Sequence, residues 1–320
     1  MNIRESLVKI GLFIVLFSWL IFMIYWFIKG LSWIPLSANY TLLIDFLTEG
    51  AGTLGFIFRI GVVSLAILAF VTYLKKGEIS KVMNFVSAAL VLEALYFLCF
   101  IPSAILGFQT GLGLEGGHSL PSGESGGLWF FVETAIPTLA EAIIMPISLL
   151  KLRSKLMPNS KFSKATFKWI TVVGICYLVV FWLTYFTQWI ATIIQPASLA
   201  SDPSYAGYGI NYILQYPLNM FTFILTTVGL PLLIVFFALS MQPLMQNPDS
   251  PLDFRKIGIT LTLLGGYFII VIALFLIFGY VGGASIWIVF FIFNSADLWC
   301  VALPAMGIPM ILLKNKDKLD

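Results

Sequence analysis

Residues 82–106 read VMNFVSAALVLEALYFLCFIPSAIL, an apolar run that carries one charge, Glu93, near its middle. Just before it, residues 75–81 read KKGEISK, with three lysines in seven positions. About 20 apolar residues are needed for a helix to cross a hydrocarbon core of about 30 Å. A soluble helix of this length would return a polar residue to one face every three or four positions. This run does not, so it reads as a membrane-spanning helix ending on a lysine anchor.

The same signature recurs along the 320 residues, of which 60% are hydrophobic and 10% charged. The mean hydropathy is +0.99. Soluble domains carry roughly 25% charged residues, so a water-soluble enzyme and a disordered chain are both excluded. Apolar runs predict eight transmembrane helices, near residues 10–28, 51–74, 82–106, 128–150, 169–194, 213–241, 257–281 and 285–313. The fold class is an all-α polytopic membrane protein. The first run is too long for a signal-peptide core and no small-residue cleavage site follows it, so it reads as a retained helix.

Lys and Arg set orientation. With eight spans, sixteen of the eighteen fall on one side: the N-terminus, the turns at 75–81 and 255–256, the loop 151–168 and the C-terminus. Both termini are therefore expected in the cytoplasm, with the protein in the cell membrane. The pI near 8.6 follows from this bias and points to anionic lipid at the cytoplasmic 151–168 loop, not to nucleic acid.

An internal repeat is also legible. At an offset of 163, Gly11, Trp19, Leu20 and Trp26 fall on Gly174, Trp182, Leu183 and Trp189, and Pro146, Leu149, Leu150 and Lys151 fall on Pro309, Leu312, Leu313 and Lys314. Between these, Tyr96-Phe97 fall on Tyr267-Phe268 at an offset of 171. The expectation is a tandem 4+4 repeat, residues 1–156 and 157–320, with both halves in one orientation. Transporters built from parallel repeats have this organisation.

Four acids and one base lie inside the expected spans: Glu93, Glu133, Glu141, Asp297 and Arg59. Each costs roughly 2.5–3.5 kcal/mol at mid-helix on insertion scales, so none is expected to face lipid. Counted from the inner lysine of each helix at about 1.5 Å per residue, Arg59, Glu133 and Asp297 share an outer layer, and Glu93 and Glu141 lie near the midplane. Arg59 is then expected to pair with Asp297 or Glu133 as a buried counter-ion. Glu93 and Glu141 are left to hold a proton or a cation. Pro137 and Pro146 interrupt the fourth span beside Glu133 and Glu141, freeing backbone carbonyls. Asn294, Ser295 and Asp297 add hard oxygens in the eighth span, and Asn211, Gln215 and Asn219 line one stripe of the sixth.

Other signals dissolve. The loop sequence Gly123-Glu124-Ser125-Gly126-Gly127 has only His118, in the same glycine-rich loop, as a base, so it supports no nucleophilic serine. Cys99, Cys176 and Cys300 lie in separate spans with no paired spacing, and no cofactor motif occurs. The function expected is a secondary transporter or proton/cation-coupled carrier of a small solute or ion. Its pathway would be lined by Glu93, Glu141, Asp297, Asn294 and Glu133. A non-catalytic membrane subunit or assembly factor, and an intramembrane enzyme acting on lipid or quinone, are the alternatives.

Overall fold

The computed structural model describes residues 3–31, 43–105, 132, 135–156, 164–194, 217–246 and 254–281, and six positions between 303 and 311. Among these residues every regular element is helical. The helices are α1 (Ile3–Leu31), α2 (Leu43–Leu74), α3 (Ile79–Leu98), α4 (Ile136–Lys155), α5 (Lys164–Ile194), α6 (Pro217–Ile224), α7 (Leu230–Gln246) and α8 (Phe254–Val281). A π-helical turn, Leu225–Gly229, joins α6 to α7.

Among the described residues, four stretches are long and apolar enough to cross a membrane: Gly50–Leu74, Ile79–Ile105, Lys168–Ala191 and Leu225–Pro243. They correspond to the second, third, fifth and sixth expected spans. A shorter apolar stretch, Lys9–Tyr25, lies within α1. The surface agrees with a lipid solvent. Leu232, Val235, Phe236 and Leu239 of α7 are all exposed, a stripe at i, i+3, i+4 and i+7 that a soluble helix would turn inward.

Consecutive helices pack as neighbours: α1 on α2, α2 on α3, α3 on α4, α4 on α5, α5 on α7 and α7 on α8. Two buried clusters result. One joins Ala94 and Phe97 of α3 to Met145, Leu149 and Leu152 of α4 and to Val173 and Val180 of α5. The other joins Tyr185 of α5 to Leu230, Leu264, Tyr267, Phe268 and Leu303. Helix α5 thus contributes to both clusters and carries packing across the expected boundary at residues 156 and 157.

Between membrane helices association relies on close packing and interhelical hydrogen bonds, because lipid is as apolar as leucine. Small residues supply the close approach here. A Cβ at Gly55 would lie 3.4 Å from the Tyr96 ring, and one at Gly61 would lie 2.7 Å from Leu92. On α8, a Cβ at Gly258 would lie 2.6 Å from the carbonyl oxygen of Gly307. Side-chain hydrogen bonds add register. Ser240 and Thr260 hydroxyls meet at 3.0 Å between α7 and α8, and Arg153 Nε donates to Ser87 Oγ at 3.0 Å between α4 and α3. Thr166 of α5 donates at 2.7 Å to the carbonyl of Lys155, near the end of α4.

The turn between α2 and α3 explains its own sequence. Lys76 N–H donates to the carbonyl of Tyr73 at 3.0 Å, and Gly77 N–H to that of Thr72 at 2.9 Å. These two bonds close the helix end as a Schellman pair. Lys76 takes the left-handed position, with φ of 52°, where glycine is usual.

The prolines act where their chemistry allows. Pro137 falls in the first turn of α4, just after Val132 and Ala135, which are π-helical, so ordinary α-helical bonding begins only at the proline. Pro146 does lie inside α4.

Candidate functional site

The site is built on the α2–α3 hairpin. Arg59 Nη1 donates to Glu93 Oε1 in an ion pair. This differs from the two-layer expectation, which put Arg59 with Asp297 or Glu133 and left Glu93 without a base. The reason lies in the reference points. Lysines 75 and 81 are not at equal depth, because α2 runs down to Leu74 and α3 turns back up from Ile79. Measured from the turn itself, Arg59 is 15 residues before Leu74 and Glu93 is 14 after Ile79. At 1.5 Å per residue both lie about 21–23 Å along their helices, so antiparallel packing sets them side by side.

Other elements complete the enclosure. Tyr177 of α5 donates to the same Oε1 of Glu93 at 2.5 Å. The guanidinium carbon of Arg59 sits 4.2 Å from the centre of the Tyr96 ring, 5.6 Å from that of Trp19 and 5.9 Å from that of Phe97. A desolvated cation over an aromatic face gains about 2 kcal/mol, which offsets part of the cost of removing Arg59 from water. Phe97 in turn packs edge-on against Tyr177, with ring centres 5.7 Å apart. Glu141, on α4, is half-buried and close enough for its charge to act on Arg59, Tyr96 and Tyr177.

Two polar atoms around this arrangement have no hydrogen-bond partner, Glu93 Oε2 and Trp19 Nε1. Glu93 is only 5% exposed. One carboxylate oxygen therefore takes both donors while the other takes none. Elsewhere among the described residues, Tyr267 Oη is the third such buried atom.

The structure thus brings together Arg59, Glu93 and Glu141 of the expected site. Glu133, Asn294 and Asp297 lie outside the described residues, as do Asn211, Gln215, His118 and Cys300. Cys99 and Cys176 are free, half-buried thiols. Tyr177 is the residue that sequence reasoning missed. Its signal is weak, a lone tyrosine in the apolar middle of a span, with nothing local to say that it faces an acid 84 residues earlier.

Between α6 and α7, a carbonyl freed by proline lies within the π-helical turn. Leu230 N–H donates to Leu225, and Pro231 has no N–H to offer Thr227. Trp182 Nε1 donates to the Thr227 carbonyl at 3.4 Å, and Trp189 Nε1 donates to Thr226 Oγ1 at 2.8 Å.

No family model, curated protein or solved structure matches this chain. The chemistry of the site is therefore argued from its own residues. One base lies among two acids, in an aromatic enclosure formed where α2, α3, α4 and α5 meet.

Proposed function

We propose that the protein is a secondary transporter, a proton- or cation-coupled carrier of the cell membrane, with eight spans in a 4+4 arrangement and cytoplasmic termini. The observation that carries this reading is the buried Glu93, whose Oε2 has no donor, in a cluster where Glu141 also acts on Arg59. An ion pair serving only to hold helices together would satisfy both oxygens, since an unpaired buried polar atom costs about 1–3 kcal/mol. A carboxyl that takes up and gives away a proton or cation keeps one oxygen open. Glu133, Asn294 and Asp297 extend the pathway toward the outer side, and the basic 151–168 loop rests on anionic lipid.

The repeat finds support in one pair of contacts. A Cβ at Gly55 would lie 3.4 Å from Tyr96, and a Cβ at Gly229 would lie 3.9 Å from Tyr267. The two tyrosines align at the offset of 171, and the two glycines at 174.

The test is reconstitution in liposomes with an internal pH dye. Wild-type protein moves protons or a solute, and Glu141→Gln abolishes that flux with folding intact; unaltered flux in the variant removes Glu141 from the pathway. The second reading, a membrane subunit, is favoured by the way Arg59, Glu93 and Tyr177 tie α2, α3 and α5 together. It predicts co-purification with a fixed partner, and loss of that complex in Arg59→Ala.

A further inference from the structure

We infer that the species bound by the Arg59–Glu93–Glu141 cluster is a proton, one per chain, and that the ion pair is present for this binding and not for packing. The inference rests on the carrier reading for its purpose, but on separate observations for its content.

The first observation is the other hairpin. Gly229 lies against Tyr267 as Gly55 lies against Tyr96. Four residues on from each glycine stand Arg59 and Leu233; three residues back from each tyrosine stand Glu93 and Leu264. The steps to Arg59, Glu93 and Leu264 run along regular α-helix, and the step to Leu233 leaves Gly229 at the end of the π-helical turn and continues along α7. Leu264 is buried in the second core cluster and Leu233 packs against that cluster. The tryptophans differ in the same sense: Trp182 Nε1 has the Thr227 carbonyl as acceptor, whereas its counterpart Trp19 Nε1 has none. One hairpin thus fills with two leucines the places that the other gives to a charge pair. Apolar side chains of similar volume replace buried ion pairs without loss of stability, and often with a gain. Packing of this hairpin therefore does not need Arg59 and Glu93.

The second observation is the set of neighbours. Among the described residues, the titratable and charged groups around Glu93 are Arg59 from α2, Tyr96 on α3 itself, Glu141 from α4 and Tyr177 from α5, with the thiols of Cys99 and Cys176 also on α3 and α5. Glu93 Oε1 already accepts from Arg59 and Tyr177. A metal cation at Oε2 would sit beside a guanidinium and would need several more oxygens. Among the described residues no group of three metal-ligating side chains occurs. A proton needs one oxygen, and Oε2 is that oxygen.

Charge balance then fixes the number. Two carboxyls and one guanidinium in a low-dielectric site are neutral when one carboxyl is protonated, and a net buried charge is strongly disfavoured. When the proton adds to Glu93 Oε2, the new O–H neutralises that carboxylate and Arg59 loses its counter-charge. Glu141 supplies it by releasing its own proton. The proton is held by one acid at a time while Arg59 stays charged, and the cluster is neutral in either state.

Infrared difference spectroscopy of full-length protein in liposomes at neutral pH tests this through the protonated-carboxyl band. Relative to wild type, Glu141→Gln should lose one carboxyl's intensity, because Glu93 is then held ionised by Arg59. Arg59→Leu should gain one, because both acids must then be neutral. Sodium added at constant pH should leave the band in place. The double variant Arg59→Leu/Glu93→Leu, made in a Tyr177→Phe background so that the hydroxyl bonded to Glu93 is removed with it, should purify as a monodisperse species with a midpoint of thermal unfolding equal to or above that of Tyr177→Phe alone. No gain in Arg59→Leu, no loss in Glu141→Gln, displacement of the band by sodium, or collapse of the double variant would each overturn the inference. None of these measurements uses flux, so a protein that binds the proton in this way but moves nothing overturns the carrier reading alone.

Discussion

Tyr177, on the fifth helix, donates a 2.5 Å hydrogen bond to Glu93 Oε1, on the third. The bond joins α5 to the α2–α3 hairpin in a region otherwise held by apolar contacts among Phe97, Met145 and Val173. A hydrogen bond to an ionised acceptor contributes about 1.5–3 kcal/mol. Tyr177→Phe removes it and keeps the ring that packs edge-on against Phe97. The expected outcome is a loss of about 2 kcal/mol in denaturant unfolding in mixed micelles. In the background of Arg59→Leu/Glu93→Leu the same substitution should cost less, since Glu93 no longer accepts from it.

How far the sequence reaches is visible in this cluster. The helical class and the membrane setting follow from apolar runs alone, since they depend only on length and composition within one segment; the four stretches in the structure match expected spans within a few residues, except where the sixth begins at Leu225. Arg59, Glu93 and Glu141 stand out because ionisable residues in apolar runs are rare. The pairing of Arg59 with Glu93 is not legible in the sequence because it depends on the level at which two helices meet. Here that level is set by the Schellman turn at Lys76 and Gly77, not by the lysine anchors. Tyr177 was invisible because tyrosine is common in spans and its partner is on a non-adjacent helix. The π-helical turn was likewise hidden, although Pro231 marks where a carbonyl must be released.

Two glycines on α8 give a paired prediction. A Cβ at Gly258 would meet the Gly307 carbonyl oxygen at 2.6 Å, the Ile311 nitrogen at 2.9 Å and the Met310 Cβ at 2.9 Å. Two of the three are backbone atoms, which cannot rotate away. Gly258→Ala is therefore expected to destabilise by about 1–3 kcal/mol through overpacking. A Cβ at Gly266 would meet nothing within 4 Å, so Gly266→Ala should stabilise by about 0.5–1 kcal/mol by removing glycine's entropic cost in a helix. Thermal unfolding of the two variants in one detergent should move the midpoint in opposite directions.

Lys76 holds φ at 52° without being glycine, a conformation that costs an L-residue roughly 1–2 kcal/mol. Lys76→Gly relieves it and leaves both closing hydrogen bonds of the turn in place. Glycine returns part of the gain as unfolded-state entropy, so the expected stabilisation is about 0.5–1 kcal/mol. Unfolding equilibria check the sign. A loss of stability would mean that the Lys76 side chain contributes more at the membrane surface than its backbone strain costs.

Pro231 decides the shape of the Leu225–Pro243 stretch. Because it has no N–H, the Thr227 carbonyl goes to Trp182 and the preceding turn opens to a π-helix in which Leu230 N–H reaches back five residues to Leu225. Pro231→Ala supplies the missing donor. The turn should then close to an ordinary α-helix, and losing one residue of register rotates the segment upstream by about 100°. That rotation carries Thr226 away from Trp189, to which it is now bonded at 2.8 Å. A double-mutant cycle of Trp189→Phe with Thr226→Val should therefore give a coupling of about 1 kcal/mol in the wild-type background and close to zero in Pro231→Ala. Hydrogen exchange gives the complementary reading, with the amides of Gly229, Leu230 and Leu232 becoming more protected as the extra residue of the π-helical turn is lost. Coupling that survives the substitution would mean that the π-helical turn is held by Trp189 and Thr226 themselves, and that proline only marks a site that packing has already fixed.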